Sequence, residues 1–221
     1  MVGSRPIELV ICDCDGTLVD SLFAITETFR LAAADCGLPA VAVETVGRYV
    51  GLPLDALFRD LLPHLDGVAR QGLEARYREL YPRVAAGRTP LFPGTRAALG
   101  QLQGRGLRLA MATGKSLAGV ERFLAEEGFE TTFEAVRCAD TAARPKPYPD
   151  MVAELLAETG VAPAAALMVG DTPFDLEMGH TAGVATCAVA TGGFTAAELA
   201  RQRPAMLLRS FADLPGILPL G

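Results

Sequence analysis

Short apolar runs rich in Val, Ile, Leu and Ala recur at residues 7–12, 108–112, 135–138, 166–169 and 185–190, each bounded by Gly, Asp or Pro. They do not alternate with polar residues, which predicts strands buried on both faces, as in a parallel sheet. Between them, Leu117, Val120 and Leu124, and further on Met151, Val152, Leu155 and Leu156, recur at three- and four-residue spacing. That spacing predicts helices with one apolar stripe. Strand and helix in alternation predict an α/β fold with an open parallel sheet.

Residues 18–88 break this rhythm. Ile25, Phe29, Ala32 and Ala33, then Leu54, Leu57, Phe58 and Leu61, then Leu73, Tyr77 and Leu80 are spaced for helices, and no convincing strand lies among them. The stretch reads as a helical insert between the first and second strands. Gly16 on one side and Gly87, Pro90, Pro93 and Gly94 on the other can stop helices and set the connections. The expected organisation is an α/β core from residues 1–17 and 89–221 and a helical cap from 18–88, hinged over the edge of the sheet.

Composition narrows the function classes. Half of the 221 residues are apolar, enough for a sizeable core. Lys and Arg number 20 against 26 Asp and Glu, without the basic stripe that follows nucleic-acid phosphates, so no nucleic acid is expected as partner. No stretch approaches the roughly 20 apolar residues of a membrane span, and Arg5-Pro6 precede a run too short for a secretion signal. The five scattered cysteines suit free thiols in a reducing compartment, and a cytoplasmic location is expected. Cys12 and Cys14 lack companions for a zinc site, and neither His64 nor His180 has a triad pattern. The oligomeric state leaves no signature in the chain.

In an open parallel sheet, ligands sit beyond the carboxyl ends of the strands. The polar residues gather there: Asp13-Cys14-Asp15-Gly16-Thr17 after the first run, Thr113-Gly114-Lys115 after the second, and Gly170-Asp171-Thr172 with Asp175 after the fourth. Lys146 stands in the loop Arg144-Pro145-Lys146-Pro147. Singly, an Asp at a strand end is a turn or cap residue, Lys146 a solvated charge, and Thr113 a helix N-cap ahead of 116–127. Jointly, four carboxylates on one rim would repel one another by about 4 kcal/mol per close pair at an effective dielectric near 20. A fold that tolerates them is expected to hold a cation.

The stretch Asp13-Cys14-Asp15-Gly16-Thr17-Leu18-Val19-Asp20-Ser21, then Thr113, then Lys146-Pro147-Tyr148-Pro149-Asp150, then Gly170-Asp171-Thr172-Pro173-Phe174-Asp175, resembles the four ordered motifs of the haloacid dehalogenase-like hydrolase superfamily. The resemblance covers nearly the whole chain. The insert looks like that superfamily's type-one cap, and the chain is most similar to phosphoglycolate phosphatase-like members. The resemblance implies a Rossmann-like core, Mg2+ as cofactor, and a small-molecule phosphate ester as substrate, phosphoglycolate first, hydrolysed through an aspartyl phosphate.

It also implies roles. Asp13 is the implied nucleophile, and Asp15 the general acid that protonates the leaving alcohol and then the base that activates water. Lys146 would neutralise nucleophile and phosphoryl group, while Thr113 donates its hydroxyl and the amides of Thr113 and Gly114 cradle phosphate. The implied metal ligands are the Asp13 carboxylate, the Asp15 carbonyl and Asp171, with Asp175 binding through water or orienting the others. Asp15 should be protonated when substrate binds, which calls for negative neighbours and partial burial. Gly16 suits a sharp turn at the phosphate. In the insert, Gly47-Arg48-Tyr49-Val50-Gly51 resembles a loop lowered onto substrate, with Arg48 either a clamp for an anionic tail or a surface residue. Cys14 and Thr191-Gly192-Gly193-Phe194 depart from the usual pattern, at positions expected to lie away from the chemistry.

Rival readings fit less well. Thr113-Gly114-Lys115-Ser116 mimics the tail of a P-loop, but the required Gly five residues before Gly114 is Leu109. No dinucleotide fingerprint follows the first strand. A phospho-aspartate receiver, a non-enzymatic module, places its acidic pair before the phosphorylated Asp and has no such insert. Within the superfamily, Asp15 argues against a dehalogenase, and a sugar-phosphate mutase stays open.

Overall fold

A computed structural model describes residues 6–218; Arg5 and the outermost ends of the expected core, 1–5 and 219–221, lie outside the described residues. Strands β1 Leu9–Cys12, β2 Arg108–Ala112, β3 Ala135–Arg137, β4 Ala166–Gly170, β5 Ala185–Val189 and β6 Met206–Leu208 form one parallel sheet in the order β3-β2-β1-β4-β5-β6. All five apolar runs are strands: β2 has the expected bounds, β4 extends one residue further to Gly170, and β1, β3 and β5 are shorter at one end, the first starting at Leu9 rather than Ile7. The sixth strand has only three residues, partly or wholly exposed at the sheet edge, so it carries no apolar run long enough to stand out.

Ten helices run in chain order among the described residues: α1 Leu22–Asp35, α2 Val43–Gly47, α3 Leu54–Leu61, α4 Gly67–Ala85, α5 Thr95–Gly104, α6 Leu117–Glu127, α7 Asp150–Thr159, α8 Pro173–Thr181, α9 Ala196–Ala200 and α10 Leu214–Ile217. The strands divide their side chains between two layers. Val10, Cys12, Leu109, Met111, Leu167 and Val169 pack with Leu99 and Leu102 of α5, Val120 and Phe123 of α6, and Leu214 of α10. Leu9, Ile11, Ala110, Ala112, Ala166 and Met168 pack on the opposite face with Met151, Val152, Leu155 and Leu156 of α7 and Met178 of α8. Burial on both faces is why the strands are apolar throughout. In α6 the stripe differs from expectation: Leu117, directly after the N-cap Ser116, is 43% exposed, and Phe123 takes its place beside Val120.

Helices α1–α4 all lie between β1 and β2, with no named strand among them. They share an apolar cluster built on Phe29, Leu57, Phe58, Leu73, Tyr77 and Leu80. Phe58 is its centre, with ring centroids 5.8 Å from both Phe29 and Tyr77. Two chain segments connect this layer to the sheet and pair with each other: Asp20 N–H donates to Pro90 O at 2.9 Å, and Phe92 N–H to Leu18 O at 3.0 Å. Leu18 and Val19 pack with the sheet-side cluster.

All five cysteines are free thiols; four are buried, while Cys36, just past α1, is exposed. His64 is exposed, and His180 Nε2 lies 2.9 Å from Thr186 Oγ1, a structural contact on α8. No described helix is long and apolar enough to cross a membrane.

Phe58 is fully buried in the helical layer, so Phe58→Ala should lower the unfolding free energy by about 3–5 kcal/mol. Urea denaturation measures it; a loss below about 1 kcal/mol would mean that the aromatic cluster does not hold the layer together.

Candidate active site

The chain crosses from one side of β1 to the other between β3 and β4, so the crevice at the carboxyl ends of β1, β2 and β4 is the topological switch point of the sheet. Asp13 leaves β1 there, its N–H donating to Val169 O of β4 at 2.9 Å and its side chain fully buried. Lys146 reaches it from the loop after β3, with Nζ 2.7 Å from Asp13 Oδ1 and 2.6 Å from Asp175 Oδ1. These are ion pairs by distance, without hydrogen-bond alignment. Asp175 is pinned by its other oxygen, which accepts from Thr172 N–H at 3.0 Å and Thr172 Oγ1 at 2.7 Å in the capping box of α8. Asp171 Oδ1 accepts from Thr17 Oγ1 at 2.8 Å.

Asp13, Asp171 and Asp175 each present a carboxylate oxygen within 4.8 Å of the others. Burial pushes the Asp13 carboxyl up to about 7, with Lys146 opposing and Asp175 and Asp15 adding to the rise. Burial, then Asp175 and Asp13, push Asp171 well above the ordinary carboxylate range. Burial also works against the Lys146 ammonium, but Asp13 and Asp175 outweigh it and raise its pKa above that of an ordinary lysine. Three buried carboxylates thus share one buried ammonium, and Asp13 Oδ2 lies buried without a hydrogen-bond donor. An all-oxygen donor set with surplus negative charge fits a hard divalent cation.

Missing side chains shape the cluster. A Cβ at Gly16, where φ is +79°, would stand 2.3 Å from Asp171 Oδ2, and one at Gly192 only 1.7 Å from the same oxygen. Thr191 Oγ1 donates to Gly16 O at 2.5 Å. The 191–194 segment therefore lies against the carboxylate cluster, where the sequence suggested a place away from the candidate site. Its Gly192 reads as a turn residue until the position of Asp171, distant in the chain, is known.

Asp15 departs from its expected surroundings. It does not share the carboxylate cluster; its Oδ1 lies 2.7 Å from Lys115 Nζ, both side chains little exposed, at 12% and 13%. The nearest charged neighbour is an ammonium rather than a carboxylate. Thr113 is buried at the end of β2, but its N–H is committed to Arg137 O at 3.0 Å, so only its hydroxyl and the Gly114 amide remain for a phosphate. The helix that follows starts beyond Ser116, whose own hydroxyl accepts from Gly119 N–H at 3.2 Å as the N-cap.

A sequence model of the family described as haloacid dehalogenase-like hydrolase matches residues 10–189. The chain belongs to that family. It is 34% identical over 94% of its length to the probable phosphatase IndB of Dickeya dadantii (strain 3937), of which it covers 92%. It is 33% identical over 99% of its length to a phosphoglycolate phosphatase of Pseudomonas savastanoi pv. phaseolicola, covering 82% of that protein. The crystal structure of a predicted phosphoglycolate phosphatase from Haemophilus somnus 129PT shares the fold, with a TM-score of 0.88 at 24% identity over 98% of this chain and all 100% of that one. The chain is thus a phosphatase-type member of the haloacid dehalogenase-like hydrolases.

In this hydrolase a cavity of 580 Å³ lies between the helical insert and the sheet side, lined by Asp15, Lys115 and Gly114 together with Ile25, Val50, Leu52, Leu57, Tyr77, Tyr81 and Phe123. Arg48 is not in its wall. The Arg48 guanidinium sits 4.3 Å from the Phe194 ring centroid and 2.6 Å from Glu198 Oε1, and it holds the Glu198 carboxyl at about 2. The anion clamp considered for Arg48 is thus replaced by an outer fastening between insert and sheet. Gly47 and Gly51 belong to the same seam: a Cβ at Gly193 would stand 2.6 Å from Gly47 O, and one at Gly114 2.5 Å from Gly51 O.

Gly192→Ala should displace Asp171 from the cluster. Turnover of p-nitrophenyl phosphate is expected to fall at least about a hundredfold, with the melting temperature lowered by only a few degrees. Full activity in the variant would show that Asp171 tolerates displacement.

Proposed function

We propose that the protein is a magnesium-dependent phosphatase of small phosphate monoesters, acting through an aspartyl phosphate on Asp13, with phosphoglycolate as leading candidate. The observation that carries this reading is the inequality of two aspartates one residue apart. Asp13 is sealed among Lys146, Asp171 and Asp175 with an undonated oxygen, whereas Asp15 faces the cavity where a leaving group would lie.

Asp13 attacks phosphorus in line with the ester oxygen; an acyl-phosphate bond forms as the phosphorus–oxygen ester bond breaks. Asp15 takes up a proton when the substrate's negative charge comes to lie beside it and gives it to the leaving oxygen, releasing the alcohol; it then takes a proton from the water that attacks the aspartyl phosphate, which releases phosphate and restores Asp13. Lys146 orients Asp13 through the 2.7 Å ion pair and is held in turn by Asp175, whose other oxygen is fixed by Thr172. Thr113 Oγ1 and the Gly114 N–H receive phosphoryl oxygens. Asp13, Asp171 and the Asp15 carbonyl would hold Mg2+, which would supply the positive charge that lets a carboxylate meet a phosphate dianion. The helical layer, residues 18–88, acts as a cap that encloses the leaving group, and its two connections to the core pair with each other at 18–20 and 90–92.

Asp13→Asn should cut kcat by at least about a thousandfold and abolish covalent phosphate capture, and Asp15→Asn should cost about 10²–10⁴. Phosphate release from p-nitrophenyl phosphate measures both, and substantial residual activity in the first variant would remove the nucleophile assignment. Multiple turnovers per chain separate this enzyme from a receiver, and release of inorganic phosphate rather than isomerised sugar phosphate separates it from a mutase.

Chelation should abolish turnover, and added Mg2+ should restore it. Mg2+ should also stabilise the chelated protein by about 2.7 kcal/mol at a hundredfold excess over its Kd, seen as a rise in melting temperature. Asp171→Asn should lose that shift; an undiminished shift would take Asp171 out of the metal site.

A further inference from the structure

Lys115 plays no part in the reaction as derived above, yet it is the one cation among the described residues that is both little exposed and in the wall of the cavity. The other cations of the cavity wall are exposed: Arg78, at 53%, is paired with Glu74, and Arg122 is also exposed. Arg48 is fastened to Glu198 and Phe194 outside the cavity. Lys146 is sealed behind Asp13. An anionic group on the leaving alcohol would therefore meet Lys115.

Reach supports the same assignment. A general acid must come within about 3 Å of the ester oxygen that it protonates. Lys115 Nζ lies 2.7 Å from Asp15 Oδ1, so the ammonium is already one contact from that position. In the ester of a 2-hydroxy acid, the carboxylate is attached to the carbon that bears the ester oxygen, which places it beside both groups. An ammonium has three donors and can hold Asp15 and a substrate carboxylate together.

We propose that Lys115 is a specificity-determining residue that binds the carboxylate of the leaving group, so that the preferred substrates are phosphate monoesters of 2-hydroxy acids. This rests on the phosphatase reading and sharpens it. The cavity, at 580 Å³ with walls of Ile25, Leu57, Tyr77, Tyr81 and Phe123, is larger than glycolate needs. Bulkier 2-hydroxy acids with apolar substituents belong to the same class, with the acid group on Lys115 and the substituent on the aromatic wall.

The test compares 2-phosphoglycolate and 2-phospholactate with 2-hydroxyethyl phosphate, which matches phosphoglycolate in size but replaces the carboxylate by a neutral alcohol. p-Nitrophenyl phosphate serves as a general reporter. Wild type should prefer the two acids by about tenfold or more in kcat/KM, the worth of a hydrogen bond between charged groups. Lys115→Met should collapse that ratio to within about threefold of unity, mainly through KM for the acids, and Lys115→Arg should retain part of it. If the methionine variant does not fold, Lys115→Gln carries the same expectation. A wild type that turns over the reporter but not the acids preferentially, or a variant that lowers all esters in parallel, overturns the assignment of Lys115 alone. A wild type inert towards the reporter and every other ester overturns the phosphatase reading and this proposal with it.

Discussion

Everything at the carboxyl edge of the sheet follows from crowding carboxylates where water cannot reach them. Burial alone raises the affinity of Asp13 and Asp171 for protons, and each carboxylate makes its neighbours worse. Lys146 offsets part of this and is itself held between two of them. The arrangement stores no stability of its own; buried charge of this kind is generally costly to a fold. It is sustained by the sheet beneath, whose central strands are apolar on both faces and leave the loop residues little freedom. The threonines complete the arrangement. Thr17 and Thr172 hold one carboxylate each, and in Thr172 the same hydroxyl also caps a helix.

The sheet was legible because burial on both faces writes itself as an uninterrupted apolar run, and the site was legible because its residues fall just past those runs. Lys146 illustrates the strength of that signal: a lone lysine in a proline-rich loop acquires meaning only from the aspartates elsewhere in the order. Other features lack any local signature. Lys115 follows a Thr-Gly pair that suggests a different motif, and nothing in its neighbourhood shows that its side chain turns to Asp15, 100 residues away. The partner of Arg48 is 150 residues distant on the other layer. Gly192 looks like any turn glycine, since its cause is the side chain of another residue. Strand β6 failed for the opposite reason, being too short and too exposed for periodicity to register.

The two layers divide the chemistry. Asp13, Asp171 and Lys146 come from loops of the sheet, Asp175 from the first turn of α8, and all four are buried away from the helical insert's cavity wall. The insert contributes Val50, Leu57, Tyr77 and Tyr81 to the cavity and no carboxylate to the cluster. Asp15 and Lys115 stand at the boundary between the two, attached to the sheet but facing the insert. A scaffold arranged in this way can change its substrate by altering the insert while the reaction stays intact.

The junction at 18–20 and 90–92 gives that division a mechanical side. The two segments are tied by backbone hydrogen bonds, and the first of them begins just after the loop that carries Asp15. Helix α4, with 19 residues, is about 28 Å long. Geometry alone makes such a helix a long arm on a short base: a turn of about 10° at the junction would carry its far end through roughly 5 Å and move the loop after β1 far less. Reach in the helical layer and fixed placement at the strand ends are compatible in one chain.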